Sequence, residues 1–298
     1  MNVIVTGASG FLGTRLLDRL LRDGHSLHIL GRKRKPGLPA AVKFSSWDAM
    51  HAEAPLESLS GADAVIHLAG EPVAQRWNAD VKRRIRESRS TGTRHLVRAI
   101  GKLSRRPRVL ISASASGYYG DRGEEVLTES SPAGHDFLAE ICKEWEREAR
   151  TAEIFGVRVA IVRIGLVLGK EGGALKQMLT PFRLGIGGRL GSGEQWMPWI
   201  HVDDLIEMFV FALDSAVSGP VNGAAPQPVR NAQFTAALAR TIHRPAIFPV
   251  PRFALKLMFG EMAEIVFASQ RMFPKVAEAA GFQFKFVELE AALADLLR

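Results

Sequence analysis

The sequence predicts an α/β protein, a Rossmann-type doubly wound parallel sheet with a smaller C-terminal α/β region on the substrate side. Three observations carry this expectation. Short runs that are apolar throughout, such as Val3-Ile4-Val5 and Ala64-Val65-Ile66, recur between stretches of helical periodicity. Strands covered by helices on both faces read this way, and their alternation with helices implies parallel pairing. The first and fourth of these runs end in Gly-containing turns, where open α/β sheets take their ligands.

The elements follow in order. Val3 to Val5 is the first strand and ends at Thr6-Gly7. Phe11, Leu12, Leu16, Leu17, Leu20 and Leu21 then recur at helical spacing, with Gly24 as a stop. Leu27 to Leu30 is the second strand and Val42 to Phe44 the third. Ala64 to Leu68 is the fourth, and a long basic helix is expected over about 78–103. Val109-Leu110-Ile111 is the fifth strand, followed by a polar, small-residue stretch from Ser112 to Tyr119. A helix over about 136–155 leads to a further strand over 157–163. Residues 1–165 are thus read as one domain whose sheet later segments complete. Residues 166–298 are read as the substrate-side region, with a small C-terminal domain from about residue 249.

Composition removes several classes of function. The 298 residues are 47% hydrophobic and hold one cysteine, Cys142, so disulfides and a cysteine-rich metal site are excluded. No apolar run approaches the length of a membrane span, and the first residues read as structure rather than as a leader. The expected location is the cytoplasm. A net charge of +8 raises nucleic acid as a partner. The basic clusters at 82–89 and 105–108 read as solvated faces without a recognition motif, so neither nucleic acid nor membrane is expected.

Gly7-Ala8-Ser9-Gly10-Phe11-Leu12-Gly13 is a GxxGxxG loop between the first strand and its helix. Gly7 permits the turn, Gly10 lets backbone approach a pyrophosphate, and Gly13 lets the helix lie close on the sheet. Ser9, Phe11 and Leu12 complete the candidate phosphate site. The end of the second strand decides which dinucleotide binds. An acid there suits the ribose of NAD, whereas cations suit the 2′-phosphate of NADP. The chain places Gly31-Arg32-Lys33-Arg34-Lys35 there and no acid, so NADP(H) is the expected cofactor, with Arg32 and Lys33 as its phosphate ligands.

The TGxxGxxG loop, Leu68-Ala69-Gly70 and Trp199-Ile200-His201-Val202-Asp203-Asp204 together resemble the extended short-chain dehydrogenase/reductases. The resemblance extends along the chain through HLAGEPV (67–73), ESRSTGTR (87–94), SASASGYYGDRG (112–123), FLAEICKEWE (137–146), VRIGLVLG (162–169) and PWIHVDD (198–204). These stretches, with the tail that includes GEMAE (260–264), are similar to the atypical, sugar-nucleotide-epimerase-like subgroup, of NAD-dependent epimerase/dehydratase type with a small C-terminal domain. The resemblance implies that Leu68, Ala69 and Gly70 line the cofactor. It also implies oxidoreductase or epimerase chemistry on a nucleotide sugar or other small polar substrate, and it leaves a homodimer open.

One departure stands out. The extended family carries a Tyr and a Lys four residues apart on the helix after the fifth strand, where the ammonium assists proton transfer by the phenol. Lys143 fits the Lys position, as a cofactor and catalytic residue, but Ala139 stands four residues before it. Ser114 and Tyr118, just past the fifth strand, are the candidate replacements. The absent tyrosine keeps open an alternative reading, a non-catalytic NADP(H)-binding sensor or structural protein. Asp203 is expected to cap the helix beginning near Leu205, and no metal site is expected.

Overall fold

The computed structural model describes residues 1–297. Its N-terminal half runs β1 (Asn2–Thr6), α1 (Phe11–Arg22), β2 (Ser26–Gly31), β3 (Lys43–Ser46), α2 (Leu56–Leu59), β4 (Ala64–His67), α3 (Ala79–Gly101) and β5 (Val109–Ala115). There follow β6 (Val126–Leu127), α4 (Phe137–Arg150) and β7 (Arg158–Ile164). Beyond them come β8 (Leu166–Leu168), α5 (Gly173–Arg183), β9 (Trp196–Met197), β10 (Trp199–His201), α6 (Val202–Asp214) and β11 (Gly219–Gly223). The tail holds β12 (Val229–Arg230), α7 (Asn231–Thr241), α8 (Arg252–Phe259), α9 (Ala263–Phe267), β13 (Arg271–Met272), α10 (Lys275–Ala279) and α11 (Leu289–Leu297).

Seven parallel strands form the central sheet in the order β11-β7-β5-β4-β1-β2-β3. The strand period of two divides the apolar residues between two cores. Val3, Val5, Ile66 and Val162 face Leu16 and Leu20 of α1 and Leu205 and Phe209 of α6. Ile4, Val65, Leu110 and Ile161 face Leu96 and Ile100 of α3. Every strand except the two edges is therefore covered on both faces, which is why the runs read as apolar throughout. The order reverses direction at β1, so the crevice beyond β1 and β4 is where a ligand belongs. Among the described residues, no helix is long and apolar enough to cross a membrane.

Three expectations change in detail. β5 does not stop at Ile111 but continues through Ser112 to Ala115, because β7 is equally long and pairs with it up to Ala115 opposite Ile164. The helix expected to reach residue 155 ends at Arg150 and tightens into a 3₁₀ turn over Thr151–Phe155, closed by Gly156 at φ 78°. Helix α6 starts at Val202, before the expected position, and Asp203 is not its cap. His201 Nδ1 accepts from the Asp203 N–H at 3.1 Å and does the capping.

Candidate functional site

The loop from β1 to α1 is shaped by two contacts of the chain with itself. Gly7 sits at φ 70°, and an added Cβ there would lie 2.6 Å from the Leu68 carbonyl carbon. At Gly13 it would lie 2.4 Å from the Gly7 oxygen. Gly10 is different, since a Cβ there would meet only the Gly7 oxygen, at 3.4 Å. Gly10 is also the N-cap of α1, without a side-chain cap, and the first turn of α1 holds no acid. The leading N–H groups of α1 thus face outward beside exposed Ser9, in the arrangement that receives a phosphate. The Phe11 ring is clamped by Gly169 and Gly172, where a Cβ on either would meet it at 2.3 Å.

The turn after β4 is held from β1. Thr6 Oγ1 accepts from the Ala69 N–H at 3.3 Å and lies 2.7 Å from His67 Nδ1. His67 Nε2 lies 2.9 Å from Thr93 Oγ1 of α3. Burial pushes the His67 pKa down to about 4, so the ring is neutral. Leu68, Ala69 and Gly70 are therefore presented at a fixed height beside the loop from β1 to α1.

The basic run after β2 divides its work. Arg34 turns back on its own loop, donating to the carbonyls of Val42 at 3.3 Å and Pro39 at 3.4 Å. Lys35 reaches across to α1, where Nζ donates to Thr14 Oγ1 at 3.0 Å. Arg32 and Lys33 are exposed. A cleft of about 850 Å³ runs along the outer side of α1 against α6, from Ser9, Gly10 and Lys35 at one end to the acids Asp18, Asp203 and Glu207. Lys35, in the same run as Arg32 and Lys33, is thus the cation set beside the start of α1.

The candidate catalytic residues are not brought together as expected. Ser114 is buried, and its hydroxyl donates to Glu146 Oε1 at 2.7 Å. Glu146 holds Arg163 through two bonds, from Nε at 2.8 Å and from Nη2 at 2.9 Å. Arg163 Nη1 donates to the Tyr119 hydroxyl at 2.9 Å, and Tyr119 donates to Asn222 Oδ1 at 2.6 Å. The chain of bonds joins β5, α4, β7 and β11 with no break. Burial pushes the Tyr119 phenol up to about 12 against the pull of Arg163. Tyr119 is thus unfit as a base near neutral pH. Tyr118 is half-buried, lies with its ring 3.5 Å from the Arg163 guanidinium carbon, and has a hydroxyl that bonds nothing among the described residues.

Lys143 lies elsewhere. Its Nζ pairs with Glu140 on the outer side of α4 at 2.5 Å. Glu146, bonded to Ser114, fixes the phase of the helix, and four residues earlier on that face stands Cys142. Four residues before that is Leu138, packed beside Gly117. On α4, Ala139 and Cys142 are buried and Leu138 is half-buried, whereas the Lys143 side chain is committed to Glu140. Burial pushes the Cys142 thiol up to about 12, so it is neither a thiolate nor a base. His201, Asp203 and Asp295 approach one another, but His201 Nδ1 is already committed to capping α6.

Residues 3–225 match the model of the NAD dependent epimerase/dehydratase family, and residues 250–296 match a domain of unknown function, DUF1731. The chain is 41% identical over 312 residues to the epimerase family protein SDR39U1 homolog, chloroplastic, of Arabidopsis thaliana, covering 100% of this chain and 87% of that protein. The crystal structure of the human epimerase family protein SDR39U1 (isoform 2) with NADPH superimposes with a TM-score of 0.89 at 34% identity, covering 100% of this chain and 99% of the other. The nucleoside-diphosphate sugar epimerase from Corynebacterium glutamicum gives a TM-score of 0.81 at 36% identity, covering all of this chain and 58% of that one.

Proposed function

The chain belongs to the NAD dependent epimerase/dehydratase family, and on that premise we propose that it is an NADP(H)-dependent oxidoreductase or epimerase acting on a nucleotide sugar or another small polar substrate. The observation that carries the reading is the uncapped N-terminus of α1 behind Gly10, to which Lys35 reaches across from the acid-free basic loop. The NADPH in the human relative supports the choice of cofactor, and the name of the Corynebacterium relative supports the class of substrate.

In this reading the α1 N–H groups and Gly10 hold the pyrophosphate. Arg32, Lys33 and Lys35 hold the 2′-phosphate, which a guanidinium and an ammonium suit and a carboxylate would repel. Leu68, Ala69 and Gly70 line the dinucleotide. The nicotinamide supplies hydride transfer when bound. Ser114 anchors Glu146 rather than meeting substrate, and Tyr118 is the remaining phenol able to move a proton at the end of β5. Residues 1–165 then carry the cofactor, and residues 166–298 carry the substrate side.

A second reading, a protein that binds NADP(H) without turning it over, is favoured by one observation. Helix α4, where the extended short-chain dehydrogenase/reductases carry a Tyr four residues before a Lys, holds no tyrosine. Stopped-flow oxidation of bound NADPH against a panel of nucleotide sugars and small carbonyl compounds separates the two. Turnover of any member supports the enzyme, and tight binding without turnover across the panel supports the second reading.

A further inference from the structure

Arg89 stands on α3 with its guanidinium turned under the turn after β4. A Cβ added at Gly70 would lie 3.2 Å from both its Cζ and its Nη2. Nη1 donates to the Glu71 carbonyl at 2.9 Å and the Ile85 carbonyl at 3.2 Å. The Nε and Nη2 donors bond nothing among the described residues, and no carboxylate there comes within ion-pair distance. The Trp145 ring lies 5.1 Å from its Cζ on one side, and Cys142 lies close by on α4. The guanidinium is half-buried without a counter-charge, and its unpartnered donors still reach solvent. The two backbone carbonyls take both Nη1 hydrogens and leave three of its five N–H donors unused.

The position of those unused donors gives them a task. The dinucleotide of an open α/β sheet crosses the strand ends, and here the basic loop after β2 marks the side of the 2′-phosphate. The turn after β4, on the opposite side of the β1 loop, therefore meets the other half of the molecule. Resting on the NADP(H) reading above, we infer that Arg89 is the cation that holds the nicotinamide half of the dinucleotide, its ribose hydroxyls and adjoining phosphate, in place of a lysine on α4. The neutral Cys142 fits this assignment. A lysine in its place would set a second cation beside Arg89, whereas a thiol tolerates the one already present. Lys143, paired to Glu140 on the outer side, takes no part.

The test compares two ligands by calorimetry. NADPH carries both halves, and adenosine 2′,5′-bisphosphate carries the 2′-phosphate but no nicotinamide half. Arg89→Gln is expected to weaken NADPH at least about tenfold while leaving the bisphosphate within about twofold, since only the charge-assisted contact is lost. Arg89→Lys keeps the charge without the fork and should weaken NADPH alone by a smaller factor. Lys143→Ala should change neither. Thermal unfolding midpoints establish that each variant folds, and Arg89→Lys serves alone if Arg89→Gln does not. Equal weakening of both ligands would make Arg89 a prop for the Glu71 turn and overturn the inference, as would unchanged NADPH affinity. Wild type that binds neither ligand would instead overturn the NADP(H) reading itself.

Discussion

Thr6 and His67 face each other across adjacent strands, hydroxyl to ring nitrogen at 2.7 Å, and the same hydroxyl takes the Ala69 N–H. The residue that precedes the glycine loop thereby sets the height of the turn after β4. Two loops of the site share one anchor.

That anchor makes stability depend on pH. His67 titrates near 4 in the folded chain and near 6.5 in the unfolded one, because burial disfavours the imidazolium. Its contribution is complete above pH 6.5 and is lost as pH falls toward 4, where only the unfolded chain has taken up the proton. The loss amounts to about 3 kcal/mol. Urea unfolding at several pH values should show it. His67→Gln should be less stable at pH 7 yet lose less stability between pH 6.5 and 4, and an unchanged slope would contradict the assignment.

The cofactor preference follows from the loop after β2. NADPH should bind at least about tenfold tighter than NADH, a difference of about 1.4 kcal/mol, within reach of one charge-assisted contact. Arg32→Ala and Lys35→Ala should each narrow that ratio while barely changing NADH. Equal wild-type affinities for the two cofactors in a calorimetric titration would refute the preference.

Glu146 is the counter-charge of a buried guanidinium. Glu146→Ala would leave Arg163 unpaired and Ser114 without its acceptor, which should lower stability by about 3–5 kcal/mol in denaturant unfolding. Glu146→Gln should lose less than the alanine variant, since it keeps hydrogen bonds to both partners. A loss below about 1 kcal/mol for the alanine variant would show that the pair is not held as described.

The two tyrosines should behave oppositely. Tyr119→Phe removes the bond to Asn222 and the acceptor of Arg163, and should cost about 1–3 kcal/mol of stability. Tyr118→Phe should leave stability within about 0.5 kcal/mol. If the protein turns over a substrate, Tyr118→Phe should slow that turnover, and stopped-flow rates equal to wild type would remove Tyr118 from the chemistry.

The sheet was legible because its strands are buried on both faces, and the glycine loop because its spacing is local, Gly13 answering Gly7 and Ala8, although the demand on Gly7 comes from distant Leu68. The phase of α4 was not. Lys143 and Cys142 are adjacent in sequence but about 100° apart around the helix. The contact that sets that phase, Ser114 to Glu146, joins residues that nothing in the sequence marks as partners. Glu146 and Arg163 likewise look like surface charges until the sheet closes over them. At α6 the capping preference of Asp drew attention to Asp203, while the neighbouring imidazole of His201 does the capping.

The outermost strand, β11, is also the last strand of the central sheet to leave a ribosome. Until Gly223 has been synthesised, β7 is a bare sheet edge, open to pairing with other chains. Asn222 is not yet there to accept the hydrogen bond of the Tyr119 hydroxyl. The nascent N-terminal half therefore carries a sticky flank for as long as the next segment takes to translate. That interval is when a chaperone or a slowed codon would matter most to the yield of folded protein.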